Sequence, residues 1–347
     1  MSRYKEICGC IHIHYPLTKL RNSFNQLAED GRVAGVDFLV INSHTPSKNN
    51  MSKYENLFEK EGYYGKTLII KSEETNDRDK QNHLLLVGGK KWHGGKETVS
   101  QVLSEIENTG IVSFVAHPEG FHKFFLYKKQ YRWDDWSLDN FTGIEIWSML
   151  FDWAKFTRIY NLPINYFTLP YNLKGPSTSL LSLWDRLSTK RKIVGIAGLD
   201  IHLLPFFFRC IDISNKFVYS NVFKGLRNHL FLEDGLTYNV QEDKQKIIDA
   251  FAKGRLFFAN DRIHNSKGFY FGTEDGNKIM GDTLSSGKNL LVKNPVKAFT
   301  RVIFNGNILW EKEVEMSTFS PNDKGVYRVE VFLNRRPWIF SNHIAIK

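Results

Sequence analysis

Apolar and polar positions alternate along the first two-thirds of the chain in blocks of two kinds. Short apolar runs stand at residues 7–13, 37–41, 67–70, 84–87, 111–116, 143–147, 193–197 and 256–258, with the length and texture of buried strands. Between several of them lie stretches with helical spacing, at 18–28, 96–108, 177–188 and 242–253. In the second, Val99, Val102, Leu103 and Ile106 recur at intervals that place them on one helical face. Repeated strand, helix, strand order predicts an α/β fold with a mostly parallel sheet or barrel. From about residue 266 the texture changes. Strand-like runs at 269–271, 289–292, 299–304, 308–314, 326–333 and 338–340 are separated by turn residues such as Asn305-Gly306-Asn307 and Pro321-Asn322-Asp323. This predicts a small β-sandwich over 266–347, appended to a first domain over 1–265. One stretch, 151–175, is rich in aromatics and broken by Pro163 and Pro170. It does not parse as regular structure, and reads either as a loop near an active site or as a surface packing element.

Composition narrows the class. A chain of 347 residues with 42% hydrophobic and 24% charged residues is too apolar for disorder. Its three cysteines, Cys8, Cys10 and Cys210, are too few for a disulfide scaffold and fit a reducing compartment. No apolar run approaches the roughly 18–20 residues that cross a bilayer, and the N-terminus lacks the apolar core of a signal peptide. The expectation is a soluble cytoplasmic protein with no membrane partner. The excess of 47 basic over 37 acidic residues, a net charge of +10, favours a small anionic substrate such as a phosphorylated metabolite or nucleotide. Nucleic acid is not favoured as a partner. The densest basic block, Thr189-Lys190-Arg191-Lys192, stands at an expected helix end, where cations complement the dipole. Oligomeric state does not follow from these features.

The candidate chemistry collects where apolar runs end. The first run reads Cys8-Gly9-Cys10-Ile11-His12-Ile13-His14. Strand alternation puts Cys8, Cys10, His12 and His14 on one face and Ile7, Ile11 and Ile13 on the other. The apolar face is then expected against helices, and the other face carries two imidazoles at its mouth, close enough to bind one metal ion or a pair. Two surface histidines is the plainer reading. A Cys-Cys-His-His zinc knot is disfavoured, because one flat strand cannot wrap four ligands tetrahedrally. The run 193–197 leads to Asp200-Ile201-His202 in the same arrangement, at the strand's carboxyl end, where catalytic residues of α/β barrels collect. The run 37–41 leads to His44, 67–70 to Glu73 and Glu74, and 111–116 to His117, while His83 opens the run 84–87. Any one of these alone reads as a structural polar group. Imidazole and carboxylate at so many strand ends form a ligand set for Zn, Mn or Fe ions.

Taken together, His12-Ile13-His14, Asn42-Ser43-His44, Ser72-Glu73-Glu74, His83-Leu84-Leu85, Ala116-His117-Pro118 and Asp200-Ile201-His202 resemble the motif series of the PHP (polymerase and histidinol phosphatase) family, in that family's order. The tail, residues 250–260 and 336–343, is similar to stand-alone PHP hydrolases of the carbaryl-hydrolase-like branch, which carry a C-terminal β-sandwich. The resemblance thus spans nearly the whole chain. It implies a distorted (β/α)7 barrel with two or three divalent metal ions (Zn, Mn or Fe). The implied metal ligands are His12, His14, His44, His83, His117, Asp200, His202 and one glutamate. That glutamate is Glu74 if Ser72 replaces the family's glycine, or Glu73 if the frame slips by one, with Glu74 preferred. Two departures stand out. Lys19 and Leu20 occupy the place where the family usually has aspartate or histidine, which removes a ligand and leaves the third ion open. Lys19 either puts a cation in that place or is solvated at a helix start. Asn42-Ser43 replaces the family's Thr-Asp before His44.

The implied mechanism is metal-assisted hydrolysis, in its simplest form that of a phosphoesterase on a small phosphorylated metabolite or nucleotide. His202 and His117 are the expected catalytic histidines. A cluster histidine not saturated by metal, such as His202, could protonate the leaving oxygen. His122 is a further candidate whose plainer reading is a surface loop. Glu145 reads either as a partner for an imidazole N–H or as a buried structural carboxylate. Hydrolysis of an amide, carbamate or ester on the same ions is one alternative, and a metal-binding protein that has lost turnover is another. Trp133, Trp136, Trp147 and Trp153 read as core before base-stacking wall, and Arg209 as a phosphate contact or a surface residue. His93, His229, His264 and His343 fall outside the strand-end pattern.

Overall fold

The structure, a computed structural model, describes residues 3–17, 23–124, 127–157, 160–161, 172–202, 219–285 and 287–347, and of 121–124 and 127–130 the backbone alone. Lys19, Leu20, Pro163, Pro170, Arg209 and Cys210 lie outside the described residues, as does the side chain of His122. The strands up to residue 265 are β1 Tyr4–Cys10, β2 Phe38–His44, β3 Gly62–Tyr64, β4 Thr67–Thr75, β5 Leu84–Val87, β6 Val112–Val115, β7 Glu119–Phe124, β8 Tyr127–Arg132, β9 Gly143–Ser148, β10 Val194–Gly198, β11 Leu226–Glu233 and β12 Leu256–Asn260. Beyond them lie β13 Tyr270–Thr273, β14 Thr283–Leu284, β15 Leu290–Phe304, β16 Asn307–Phe319, β17 Gly325–Leu333, β18 Arg336–Ser341 and β19 Ile344–Ile346. The described α-helices are α1 Phe24–Ala34, α2 Met51–Glu55, α3 Val99–Ile106, α4 Met149–Phe156, α5 Thr178–Ser188 and α6 Val240–Lys253.

Local signals explain the helices that the spacing predicts. Thr98 and Gln101 close a reciprocal capping box at the start of α3, which buries Val99, Val102, Leu103 and Ile106. The Asn239 side chain accepts from Gln241 and Glu242 N–H at the start of α6, and Gly254, at φ 71°, ends it. The helix expected over 18–28 is described over 24–34 instead.

The sheet is mixed. β4, β2 and β1 run parallel, as do β6, β9 and β10, and β5 joins the two groups antiparallel to both neighbours. The chain beyond β10 returns to the first strand: Leu199 N–H donates to Ile11 O and His14 N–H to Ile201 O, each at 3.0 Å. Below that contact β11 pairs antiparallel with β1, from Tyr4↔Glu233 to Gly9↔Asn228. The ladder then passes through β12 into β18, with Phe257 opposite Ser341. The C-terminal strands therefore belong to the same hydrogen-bonded sheet as the strands before residue 265. The molecule is a mixed α/β protein built on one large sheet.

Apolar side chains pack on both faces of the strands. Ile7, Ile11, Val40, Leu68, Ile70, Leu85, Phe114, Val194 and Ile196 gather with Ile247, Ile248 and Phe251 of α6. Cys10, Ile13, Leu39, Ile41, Ile69, Leu84, Leu86 and Val115 pack with Phe24 and Leu27 of α1, Val102 of α3 and Trp184 of α5. This corrects the expectation that Cys8, Cys10, His12 and His14 share one face. Cys10 and Ile13 pack on the side of α1, α3 and α5, and Ile11 in the inner cluster with α6, because the alternation slips at His12, whose φ is 61°.

Other elements were not visible in the pattern. In β11 the polar run Arg227-Asn228-His229 hides a buried strand. The hairpin β7–β8, a sheet of its own, carries no apolar run. The aromatic stretch after residue 151 continues α4 as far as Phe156.

Candidate metal centre

Three of the strand-end residues stand on left-handed backbone: His12 at φ 61°, His117 at 29° and Asp200 at 48°. That conformation costs a non-glycine residue roughly 1–2 kcal/mol, and it recurs at functional sites where side chains must be aimed. On β6 and just after it, Phe114 and Ala116 belong to the inner cluster, so strict alternation would turn His117 outward. The left-handed turn keeps it on the inner side. A polar contact fixes the slip at His12, whose N–H donates to Asn42 Oδ1 at 3.0 Å.

Glu74 sits at the centre with 1% of its surface exposed. Its Oε1 lies 2.6 Å from His83 Nδ1 and 3.3 Å from His117 Nε2. Its Oε2 lies 2.9 Å from His44 Nδ1, 3.0 Å from His14 Nε2 and 3.6 Å from His12 Nε2. Asp200 Oδ1 stands 3.3 Å from His14 Nε2, 3.4 Å from His12 Nε2 and 3.5 Å from His202 Nδ1. His44 Nε2 and His202 Nε2 approach to 3.3 Å at the rim, where the two side chains are 50% and 40% exposed. The structure thus brings together His12, His14, His44, Glu74, His83, His117, Asp200 and His202. Three overlapping groups keep their ligand atoms within 4.8 Å of one another: His14 with His44 and His202, His12 with His14 and Asp200, and His12 with Glu74 and His117.

Among the described residues, His12 Nε2, His14 Nε2, His83 Nε2, His117 Nδ1 and Glu74 Oε2 are buried without a hydrogen-bond partner. His12 Nε2 and His14 Nε2 lie near carboxylate oxygens without hydrogen-bond geometry. Each such atom costs about 1–3 kcal/mol if nothing meets it. That His12 Nε2, His14 Nε2 and Glu74 Oε2 converge suits a cation, and the mixture of imidazole and carboxylate is the donor set of Zn, Mn or Fe. These buried groups could hold metal ions.

The two glutamates that end β4 do different work, since neighbours on a strand face opposite ways. Glu73 accepts from Thr45 Oγ, from His93 N–H at 2.7 Å and from Gly94 N–H at 2.9 Å, tying a loop to the outer side of the strand. Glu145 is 1% exposed, with both oxygens 3.2 Å from His12 Nδ1 and Oε2 accepting His117 N–H at 2.7 Å. It orients one imidazole and the backbone of another.

The electrostatics follow from this crowding. Burial alone would raise Glu74, but the imidazoles of His44, His12 and His83 hold it well below the usual carboxylate range. Asp200 is lowered likewise, by His12 and His14 against its burial. Burial opposes charge on His12, yet Glu145, Asp200 and Glu74 raise it well above an ordinary imidazole. His202, desolvated and beside His14, falls to about 4.

Other candidates resolve more plainly. Trp133 and Trp147 are buried in the core, and Trp136 and Trp153 pack against it. His93 is buried, with Nδ1 3.0 Å from Glu105. His229 is buried with Nδ1 2.8 Å from Glu6, His343 is half-buried with Nε2 2.8 Å from Asp185, and His264 is exposed. Arg191 covers the Phe141 ring at 4.5 Å and donates to its carbonyl. The site also has a wall that the sequence pattern did not signal: Tyr131 meets His83 edge-on at 5.2 Å, and Phe151 lies 4.6 Å from His117.

No helix among the described residues is long and apolar enough to cross a membrane. No protein-family profile matches the chain, and neither does any curated protein. Among solved structures, the chain is similar to a two-domain protein of Bacteroides vulgatus ATCC 8482 that contains a predicted PHP-like metal-dependent phosphoesterase. The identity is 12%, the TM-score 0.46, and the match covers 98% of this chain and 96% of that one.

Proposed function

We propose that the protein is a metal-dependent hydrolase acting on a small phosphoester, a phosphorylated metabolite or nucleotide. The observation that carries this reading is the convergence of buried, unpartnered imidazole and carboxylate atoms around Glu74 and Asp200. We read the strand ring β1, β2, β4, β5, β6, β9 and β10 as a distorted (β/α)7 barrel over 1–265, and the strands over 266–347 as a β-sandwich joined to it. His12, His14, His44, Glu74, His83, His117, Asp200 and His202 would hold two or three divalent ions, Zn, Mn or Fe. Ions held there would supply Lewis acidity, lowering the pKa of a coordinated water toward ~7 and offsetting charge on a phosphoryl group.

The chain's own residues supply the rest. Glu145 draws the proton of His12 to Nδ1 and so leaves Nε2 free as a donor atom. His44 and His202, at the open rim, would meet the substrate first, and whichever of the two is not taken up as a ligand would pass a proton to the leaving oxygen. His117, the other catalytic candidate, lies deeper beneath Phe151 and serves as a ligand. The net charge of +10 draws an anionic substrate.

Elemental analysis of the protein beside a His12→Ala/Asp200→Ala variant, followed by turnover on phosphoesters and on amides and carbamates, tests the reading. About two or more equivalents of metal per chain, lost in the variant together with phosphoester turnover, is the expected result. Metal retained by the variant would overturn the site. Turnover of amides or carbamates alone would replace the phosphoesterase with the second chemistry of the same site, and metal without any turnover would leave a binding protein.

A further inference from the structure

Strand β10 delivers Asp200 and His202 to the site just beyond its end, yet among the described residues it has a partner strand on one side only, β9. On its other side every second residue, from 195 to 201, turns backbone groups toward β1, β11 and β12. The chain just past β1 reaches only the upper end, through Ile11 O with Leu199 N–H and His14 N–H with Ile201 O. Lower down, β1 is already paired with β11. Left open, Gly195 and Ala197 would bury unmet N–H and C=O groups.

Two asparagine side chains fill the gap. Asn228 of β11 accepts Ala197 N–H at 2.9 Å and donates to Ala197 O at 2.7 Å. Asn342, one residue past β18, accepts Gly195 N–H at 2.7 Å and donates to Gly195 O at 2.8 Å and to Leu256 O at 3.0 Å. Both side chains are buried. A primary amide offers a donor and an acceptor side by side, as a peptide group does, so the two side chains act as rungs that carry the ladder down from β1. The flanking residues anchor the same segment elsewhere: Ser341 Oγ accepts Val329 N–H at 2.8 Å, and His343 Nε2 lies 2.8 Å from Asp185 Oδ1 on α5.

We propose that Asn342 is a positioning residue for the metal centre, and that through it the C-terminal strands, together with Asn228, hold β10 in the register that brings Asp200 and His202 to the cluster. The proposal rests on the reading of that cluster as a metal site. It assigns the C-terminal strands a role in the site with no residue of theirs touching it.

The test compares Asn342→Ala with His343→Ala, a neighbour in the same segment whose side chain contacts α5 and supplies no rung to β10. Two quantities are read below the melting temperature of each variant: amide hydrogen exchange over residues 193–202, which needs no metal, and metal retained per chain against a competing chelator. In Asn342→Ala exchange in β10 rises and metal is held about 10- to 100-fold more weakly, the range for a lost support beneath a ligand. In His343→Ala both stay at wild-type values. Should Asn342→Ala fail to fold, Asn228→Ala removes the neighbouring rung without touching the C-terminal strands and carries the same two expectations. Unchanged exchange and metal retention in the asparagine variants would overturn the proposal, and so would equal losses in His343→Ala. Wild-type protein that takes up no metal overturns the metal reading and the metal half of this proposal, while exchange still decides whether Asn342 holds β10.

Discussion

Gly198 is bare because its neighbours leave no room for a side chain. A Cβ there would lie 2.0 Å from Glu145 Oε1 and 3.0 Å from His12 Cβ. Glu145 cannot retreat without releasing His12 Nδ1 and His117 N–H, which it holds on both oxygens. Gly198→Ala is therefore expected to destabilise the fold by about 1–3 kcal/mol, the usual cost of overpacking, and to lower metal content by displacing His12. Denaturant unfolding beside elemental analysis measures both, and an unchanged midpoint would refute the packing argument. At this scale much of the candidate site was legible in the sequence, since histidines and carboxylates recur at one strand end after another. The choice between Glu73 and Glu74 was legible only as a preference, because a one-residue shift in the strand exchanges the two faces. The left-handed turns at His12 and His117 were not legible at all. Nothing in Ile11-His12-Ile13 announces a slip that Asn42, on another strand, helps to hold.

β11 shows why an element can escape a reading based on apolar runs. Its polar residues are buried, and each is met by a partner from elsewhere: Arg227 by Asp261 and Asn228 by Ala197. His229 lies between Glu6 Oε1 at 2.8 Å and Asp261 Oδ2 at 3.2 Å, stacked on Phe257 at 4.5 Å. Burial lowers the His229 pKa, but Asp261 and Glu6 outweigh it and raise the ring to about 9. An unfolded histidine titrates near 6.5, so the folded value is the higher one. The stability it contributes is complete below ~6.5 and is lost as pH rises through about 9, on the order of 3 kcal/mol across that window. Urea unfolding near pH 6 and again above pH 9 should show wild type losing more stability than His229→Gln. Equal losses in the two proteins would show that the imidazolium contributes nothing.

Across the whole molecule, one contact between the C-terminal strands and the helices before residue 265 is ionic. Arg328 of β17 is buried and grips Asp185 of α5 with two nitrogens, at 2.6 and 2.8 Å, while a third meets Glu330 at 2.7 Å. His343 adds a further contact to Asp185, and the guanidinium lies 5.4 Å from the Trp184 ring centre. Arg328→Met leaves Asp185 buried against one partner fewer and is expected to cost about 3–5 kcal/mol. The Arg328→Met/Asp185→Asn pair should cost less, because no lone charge remains, and a double variant no more stable than the single one would refute this account. Burial pushes Asp185 up, but Arg328 and His343 hold it down at about 2. Its stabilising contribution is therefore present above the unfolded value near 4 and is lost as pH falls toward about 2.

The sequence by itself determined what depends on neighbours in the chain. Helical spacing placed α3, α5 and α6, apolar runs placed β1, β2, β4, β5, β6, β9, β10 and β12, and strand ends carried the imidazoles and carboxylates of the candidate site. Only the tertiary structure decided how these parts meet. It set which face His12 takes, inserted β11 between β1 and β12, and joined β18 to β12 in one ladder. It also brought Asn342 to Gly195 across 147 residues of chain. Spacing and propensity act over one or two turns of chain. A buried amide or carboxylate is satisfied by whichever distant group the fold brings beside it, and no local pattern records that group.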